Sequence, residues 1–185
     1  MDRNFIGDAL SYEGPSAPVY EMLTPLQQRF FDAISNDDDL IAVLRGHLYV
    51  ESAVNDLLAI LFPGADVLIG DLTYEQKVRR LRKATSVPSM LGTLLKALGE
   101  LRNSFAHSLE RRLTQADDGR FSQPLDSQTR QEVSTLIARG AFPDQAGSSV
   151  RAAIIVLYTH LSVMRLVLSK QAKEKIEPGA DKASS

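Results

Sequence analysis

Between residues 90 and 109 the apolar side chains Leu91, Leu94, Leu95, Leu98, Leu101 and Phe105 recur every three or four positions. That is the period of a helix with one face in a core. A second such stripe runs through Leu40, Leu44, His47, Glu51, Val54, Leu58 and Leu61. No stretch alternates with period two for long enough to make a strand, and no internal repeat is visible. The chain is thereby confined to an all-α fold, an antiparallel helical bundle of about five to six helices. Its 185 residues suffice for one core without disulfide or metal staples.

The turn and cap residues place the helices. Residues 1–23 hold Gly14, Pro15 and Pro18 and no sustained period, and read as an N-terminal arm lying on the domain. Residues 24–176 read as a single all-α domain, and 177–185, without apolar residues to bury, as a disordered tail. The first helix is expected over 24–34, with Thr24 as cap, Pro25 in the first turn and Gln27 at the capping-box position. The acidic run Asp37, Asp38, Asp39 suits the start of the second, which Pro63-Gly64 stops after Phe62. Thr73 and Gln76 form a capping box that opens a third helix through Tyr74 to about Thr85. The fourth follows Val87-Pro88 and ends near Leu109. Residues 110–125 read as a polar connection with a short excursion around Phe121, long enough to be of functional interest. A fifth helix begins at Asp126 or Ser127 and ends at Arg139-Gly140. Ser148 or Ser149 caps a long last helix that reaches about Ile176.

Composition bounds the function. A hydrophobic fraction of 44% with 24% charged residues is that of a globular domain and excludes a disordered or fibrous chain. A net charge of −2 leaves room for nucleic acid only at a local basic patch. The absence of cysteine removes disulfides and thiolate metal sites and favours a cytoplasmic location. The N-terminus lacks the basic start and apolar core of a signal peptide. The most apolar run, residues 152–168, is broken by His160 and Arg165 and is too short to span a bilayer, so a buried or subunit-contacting helix is expected and no membrane association. No phosphate-binding glycine loop and no Gly-x-Ser-x-Gly elbow occur. The three histidines, His47, His107 and His160, are too far apart to pair as metal ligands on one helix, so neither metal nor cofactor is expected. His160 is expected to pack or cap within the last helix.

The candidate chemistry lies where polar residues enter the stripes. Arg102, Asn103 and His107 interrupt the 90–109 helix near its end, and an arginine desolvated there would demand a partner or a ligand. Asn103 and His107 fall one turn apart on one face, while Arg102 and His107 are about 140° apart. The latter two meet on one substrate only if the helix end distorts or a second chain completes the site. His47 and Glu51 repeat the pattern in the second stripe. They either satisfy each other at the edge of the core, or Glu51 orients Arg102 or His107 across a helix contact. Lys77, Arg79, Arg80, Arg82 and Lys83 crowd one short helix; such a run is either a solvated face or a track for an RNA backbone.

At LRNSFAH the chain resembles the HEPN superfamily, small all-α domains whose ribonuclease members carry Arg-x4-6-His near the end of a long helix, often with Asn straight after the arginine. Those positions are Arg102, Asn103 and His107, and the similarity in pattern covers roughly residues 38–110. In layout the chain is also similar to the mannitol operon repressor family. The HEPN resemblance implies a homodimer that cuts RNA without metal, a toxin or stress or phage-defence effector with a possible antitoxin or regulatory partner. It implies that His107 takes the proton of the 2′-hydroxyl, that Arg102 stabilises the phosphorane, and that Asn103 positions the phosphate or holds the His107 tautomer. HEPN toxins silenced by nucleotidyl transfer carry a tyrosine two residues after the motif histidine. Leu109 stands there, so that modification is not expected. The mannitol repressor likeness implies instead a non-catalytic transcriptional regulator or interaction protein.

Overall fold

The computed structural model describes residues 25–36, 38–83, 87–138, 142 and 146–176. Eight helices follow in order among them: α1 (Pro25–Ile34), α2 (Asp39–Leu61), α3 (Asp66–Gly70), α4 (Tyr74–Lys83), α5 (Ser89–Ala106), α6 (Gln115–Ser122), α7 (Ser127–Ala138) and α8 (Ser148–Ile176), with no strand. The all-α bundle expected from the periodicities is the fold, with two more helices than the stripes announce. α3 is a single turn in the connection after Pro63-Gly64. α6 replaces the expected polar connection: Thr114 caps it, with a Thr114 N–H bond to Asp117 Oδ2 at 3.0 Å and an Asp117 N–H bond to Thr114 Oγ1 at 3.3 Å. The Thr-x-x-Asp spacing carried that signal, and Phe121, buried beneath the helix, is its anchor. Thr24, the expected arm and tail, and the stop at Gly140 lie outside the described residues.

The remaining caps form as the sequence dictates. Asp38 accepts the N–H groups of Leu40 and Ile41 at 2.8 and 3.3 Å. Thr73 and Gln76 close both halves of their box, at 2.9 and 3.3 Å. α8 starts at Ser148, and its first turn is held from a distance: Asp118 of α6 accepts the N–H groups of Gly147 and Val150 at 2.9 and 3.0 Å. A carboxylate on the positive end of the longest helix satisfies donors that would otherwise be orphaned and sits favourably in the helix dipole.

α2 is the centre of the bundle. It packs on α8 more extensively than on any other helix, and on α1, α4 and α5 as well. Its burial therefore exceeds the single stripe seen in the sequence: Val43, Val50 and Leu57, on another face, are wholly buried. Gly46 permits this, because a Cβ there would stand 2.7 Å from Ile34 Cδ1 and 3.0 Å from Ile154 Cγ2. The α5 stripe is core throughout, its six members between 0% and 2% exposed, each worth about 1.5–3 kcal/mol of burial. α8 is longer than its apolar run, and residues 148–172 are long and apolar enough to cross a membrane by length and composition. Here it is a bundle helix, carrying a buried arginine and packed on α2, α6 and α7.

That arginine, Arg151, closes the bundle. It is 1% exposed and donates to the carbonyls of Ile34 and Asn36 and, at 2.6 Å, to Asp39 Oδ1. The second Asp39 oxygen accepts the Leu113 N–H at 2.9 Å. One ion pair thus ties α8 to the α1–α2 turn and to the strand-free segment before α6.

Candidate functional site

The sequence of α5 puts its leucines inside and leaves its last turn to solvent. Arg102, Asn103 and His107 are all exposed. Arg102 is therefore not the desolvated cation that its place beside the stripe suggests: it points off the apolar face, and its guanidinium donates to Asn103 Oδ1 at 2.9 Å. The asparagine holds the arginine, rather than the histidine as one reading of the sequence had it. His107 is the C-cap residue, and its N–H donates to the Asn103 carbonyl at 3.2 Å. The three residues share one exposed helix end, and the side chains of Arg102 and His107 make no hydrogen bond to each other. Leu109 follows, 78% exposed.

Behind this end lies a buried polar cluster on α2 and α4. Gly99 admits it: a Cβ there would meet the Tyr74 ring at 2.7 Å, so the ring lies close against α5 and its hydroxyl donates to the Leu95 carbonyl at 3.0 Å. The His47 ring packs against Tyr74 with centroids 4.3 Å apart. His47 is 2% exposed, and its Nδ1 has no hydrogen-bond partner among the described residues. Glu51 Oε2 is 3.8 Å from that nitrogen, too far to bond, because Glu51 is committed to Lys77 at 2.8 Å. Neither sequence reading of His47 and Glu51 describes this arrangement: Glu51 orients a lysine, and His47 is left over. Burial pushes the His47 pKa down to about 4 against the raising effect of Glu51, and the cations Arg102 and Lys77 push it further down. His47 is thus neutral near pH 7, and the field of Arg102 reaches it. Burial likewise raises the pKa of Tyr74.

Lys77 corrects the expected RNA track. It is 6% exposed and turned inward to Glu51, because it falls on the same face of α4 as Tyr74, Val78 and Leu81. Arg79, Arg80, Arg82 and Lys83 are exposed on the other side. Tyr74 is the site member that sequence reasoning missed and Lys77 the one it assigned to the wrong face, and their spacing with Val78 and Leu81 was the available signal. Arg111, also outside the motif, stacks over Phe105 at 5.3 Å and pairs with Asp117 at 2.8 Å, fixing the chain just past His107. Arg120 pairs with Glu100. Among the described residues no three His, Asp or Glu side chains gather as a metal-ligand set. His160 stays within α8, its Nδ1 2.8 Å from the Val156 carbonyl, so that nitrogen carries the hydrogen.

No protein-family model, no curated protein and no solved structure matches the chain.

Proposed function

We propose that the protein is an endoribonuclease of the HEPN kind, acting without metal as a homodimer. The observation that carries the reading is that Arg102, Asn103 and His107 stand exposed together at one helix end while the leucines and the phenylalanine of the same helix are buried. RNA supplies the nucleophile. His107 takes the proton of a 2′-hydroxyl, the 2′-oxygen attacks phosphorus, and a 2′,3′-cyclic phosphate forms as the 5′-oxygen leaves. Arg102, steadied by Asn103, binds the non-bridging oxygens as their charge grows. Because Arg102 and His107 are about 140° apart around an ideal helix, a second copy brings a complementary motif and supplies the proton for the leaving oxygen. Arg79, Arg80, Arg82 and Lys83 are the exposed cations available to the RNA backbone. The far half of α8, where Leu166 is 65% exposed, is the surface on which to look for the second copy.

The test is incubation of the purified protein with total RNA in EDTA, with fragment ends read chemically. Wild type is expected to leave 2′,3′-cyclic phosphates, and His107→Ala and Arg102→Ala to be slower by roughly 10² to 10⁴. Expression of the wild type is expected to arrest cell growth and that of His107→Ala to spare it. Cleavage unchanged in His107→Ala, or none from a folded dimer on several RNAs, overturns the reading. One observation favours the alternative, a non-catalytic regulatory or interaction protein like the mannitol operon repressor: His47 is buried, so a single histidine reaches the motif surface.

A further inference from the structure

Residues 45, 49, 52 and 56 of α2 lie about half a turn away from His47 and Glu51, and line a groove between α1, α2 and α8 of about 600 Å³. That volume is in the range of sites that enclose a small organic molecule. The floor is aromatic. Tyr49 and Tyr158 stand edge to face with centroids 6.2 Å apart, and Phe30 braces both from below, 5.2 Å from Tyr49 and 4.3 Å from Tyr158. Leu48, 61% exposed, forms an apolar lip.

The walls are charged. Arg29 from α1, Arg45 from α2 and Arg165 from α8 face the same space as Asp32 and Asp56. Arg165 and Asp56 neutralise each other at 2.7 Å, and Asp32 is itself engaged. Arg29 and Arg45 are exposed and have no carboxylate at ion-pair distance among the described residues. Two guanidinium forks without a carboxylate partner among the described residues thus stand over an aromatic floor in a concave site. Guanidinium suits phosphate and carboxylate oxygens two at a time, and tyrosine faces suit a planar ring.

We propose that this groove binds a small organic anion built on a flat ring, an aryl phosphate or aryl carboxylate, with Arg29 and Arg45 on the anionic group and Tyr49 and Tyr158 against the ring. The site is separate from the α5 motif and does not depend on the ribonuclease reading. It joins the three helices that meet at Gly46, so its occupant braces α1 against α8.

Titration of the full chain with 1-naphthyl phosphate and with 1-naphthoate, followed by calorimetry and by saturation-transfer NMR, tests the assignment. Binding of at least one probe with Kd at or below about 1 mM is expected, and whichever binds more tightly identifies the anionic group. Arg29→Glu with Arg45→Glu is expected to weaken it at least about tenfold, the loss of one charge-assisted bond or more. Ser52→Tyr, which fills the groove from an exposed position, is expected to abolish it. The neutral 1-naphthol and inorganic phosphate alone are each expected to bind at least about tenfold more weakly than the better probe. Arg79→Glu with Arg80→Glu on α4 is expected to leave binding unchanged. All altered positions are exposed, and unchanged thermal melting verifies that each variant folds. No binding by the intact chain, binding indifferent to the Arg29/Arg45 pair, or inorganic phosphate binding as tightly as the aryl compounds overturns the proposal.

Discussion

At the Asp39–Arg151 pair, Arg151 places both terminal nitrogens on oxygens, though its buried Nε has no partner among the described residues, and Asp39 accepts at both of its own oxygens, one from Arg151 and one from the Leu113 backbone. At the His47–Glu51–Lys77 cluster, which α2 shares with α4, a ring nitrogen is equally buried and has no hydrogen-bond partner among the described residues. The first cluster joins parts of the chain 112 to 117 residues apart and is far from the exposed motif in role: its work is to close the bundle. The second sits behind Arg102 and feels its charge. A buried arginine that stays charged and holds three oxygens rigidifies, whereas a buried titratable ring without a hydrogen bond is a group whose state its neighbours can shift. The contrast separates what holds this fold from what is poised beside its candidate site.

The most severe way to break the contrast is Arg151→Met, which leaves the Asp39 carboxylate buried and unpaired. A loss of about 3–5 kcal/mol in urea unfolding is expected, and Asp39→Leu added to Arg151→Met is expected to restore much of it. A double variant as unstable as the sum of the singles would show that the pair does not act as a unit. Next in size is the acid limb of stability. The His47 pKa is lowered from 6.5 to about 4 in the fold, so the unfolded chain takes up the proton first. The associated stability is fully present above about pH 6.5 and is lost as pH falls toward 4, by up to roughly 3 kcal/mol. His47→Leu is expected to flatten that limb in pH-resolved denaturation; an unchanged limb would place the titration elsewhere.

Lys77→Met is expected to cost about 1–3 kcal/mol, less than Arg151→Met because Glu51 is 24% exposed and water can reach it. Glu51→Gln removes the one group that raises the His47 pKa, so NMR titration is expected to find it lower still. The smallest effect is expected at the motif itself. Arg102→Ala and His107→Ala, both exposed, should change stability by no more than about 0.5 kcal/mol, so any loss of RNA cleavage in them is a loss of chemistry. A large destabilisation by either would make them structural residues and erase the distinction between the two regions.

The helices that carry long stripes or clear caps were legible from residue order: α2, α4, α5, α7 and α8 begin and end within a few residues of the positions that Asp38, Thr73, Pro88, Ser127 and Ser148 mark. α3 and α6 were not, because a helix of one or two turns shows no period, and α6 rests on one buried aromatic and one capping box. The direction of polar side chains was the least legible. Arg102 and Lys77 each adjoin an apolar stripe, yet one swings out and the other in. What decides is a partner distant in sequence: Lys77 has Glu51 waiting on α2, and Arg102 bonds its chain neighbour Asn103. Arg151 went unnoticed for the same reason, since its acceptors lie more than 110 residues earlier.

That reach of Arg151 also sets an order of events during synthesis. The carbonyls of Ile34 and Asn36 and the Asp39 carboxylate leave the ribosome long before α8 does, and until α8 arrives the inner face of α2 and the acidic side chain at its start have no cover. Native closure therefore waits for α8: its bonds to the α1–α2 turn span more than 110 residues and form only once that helix has been made.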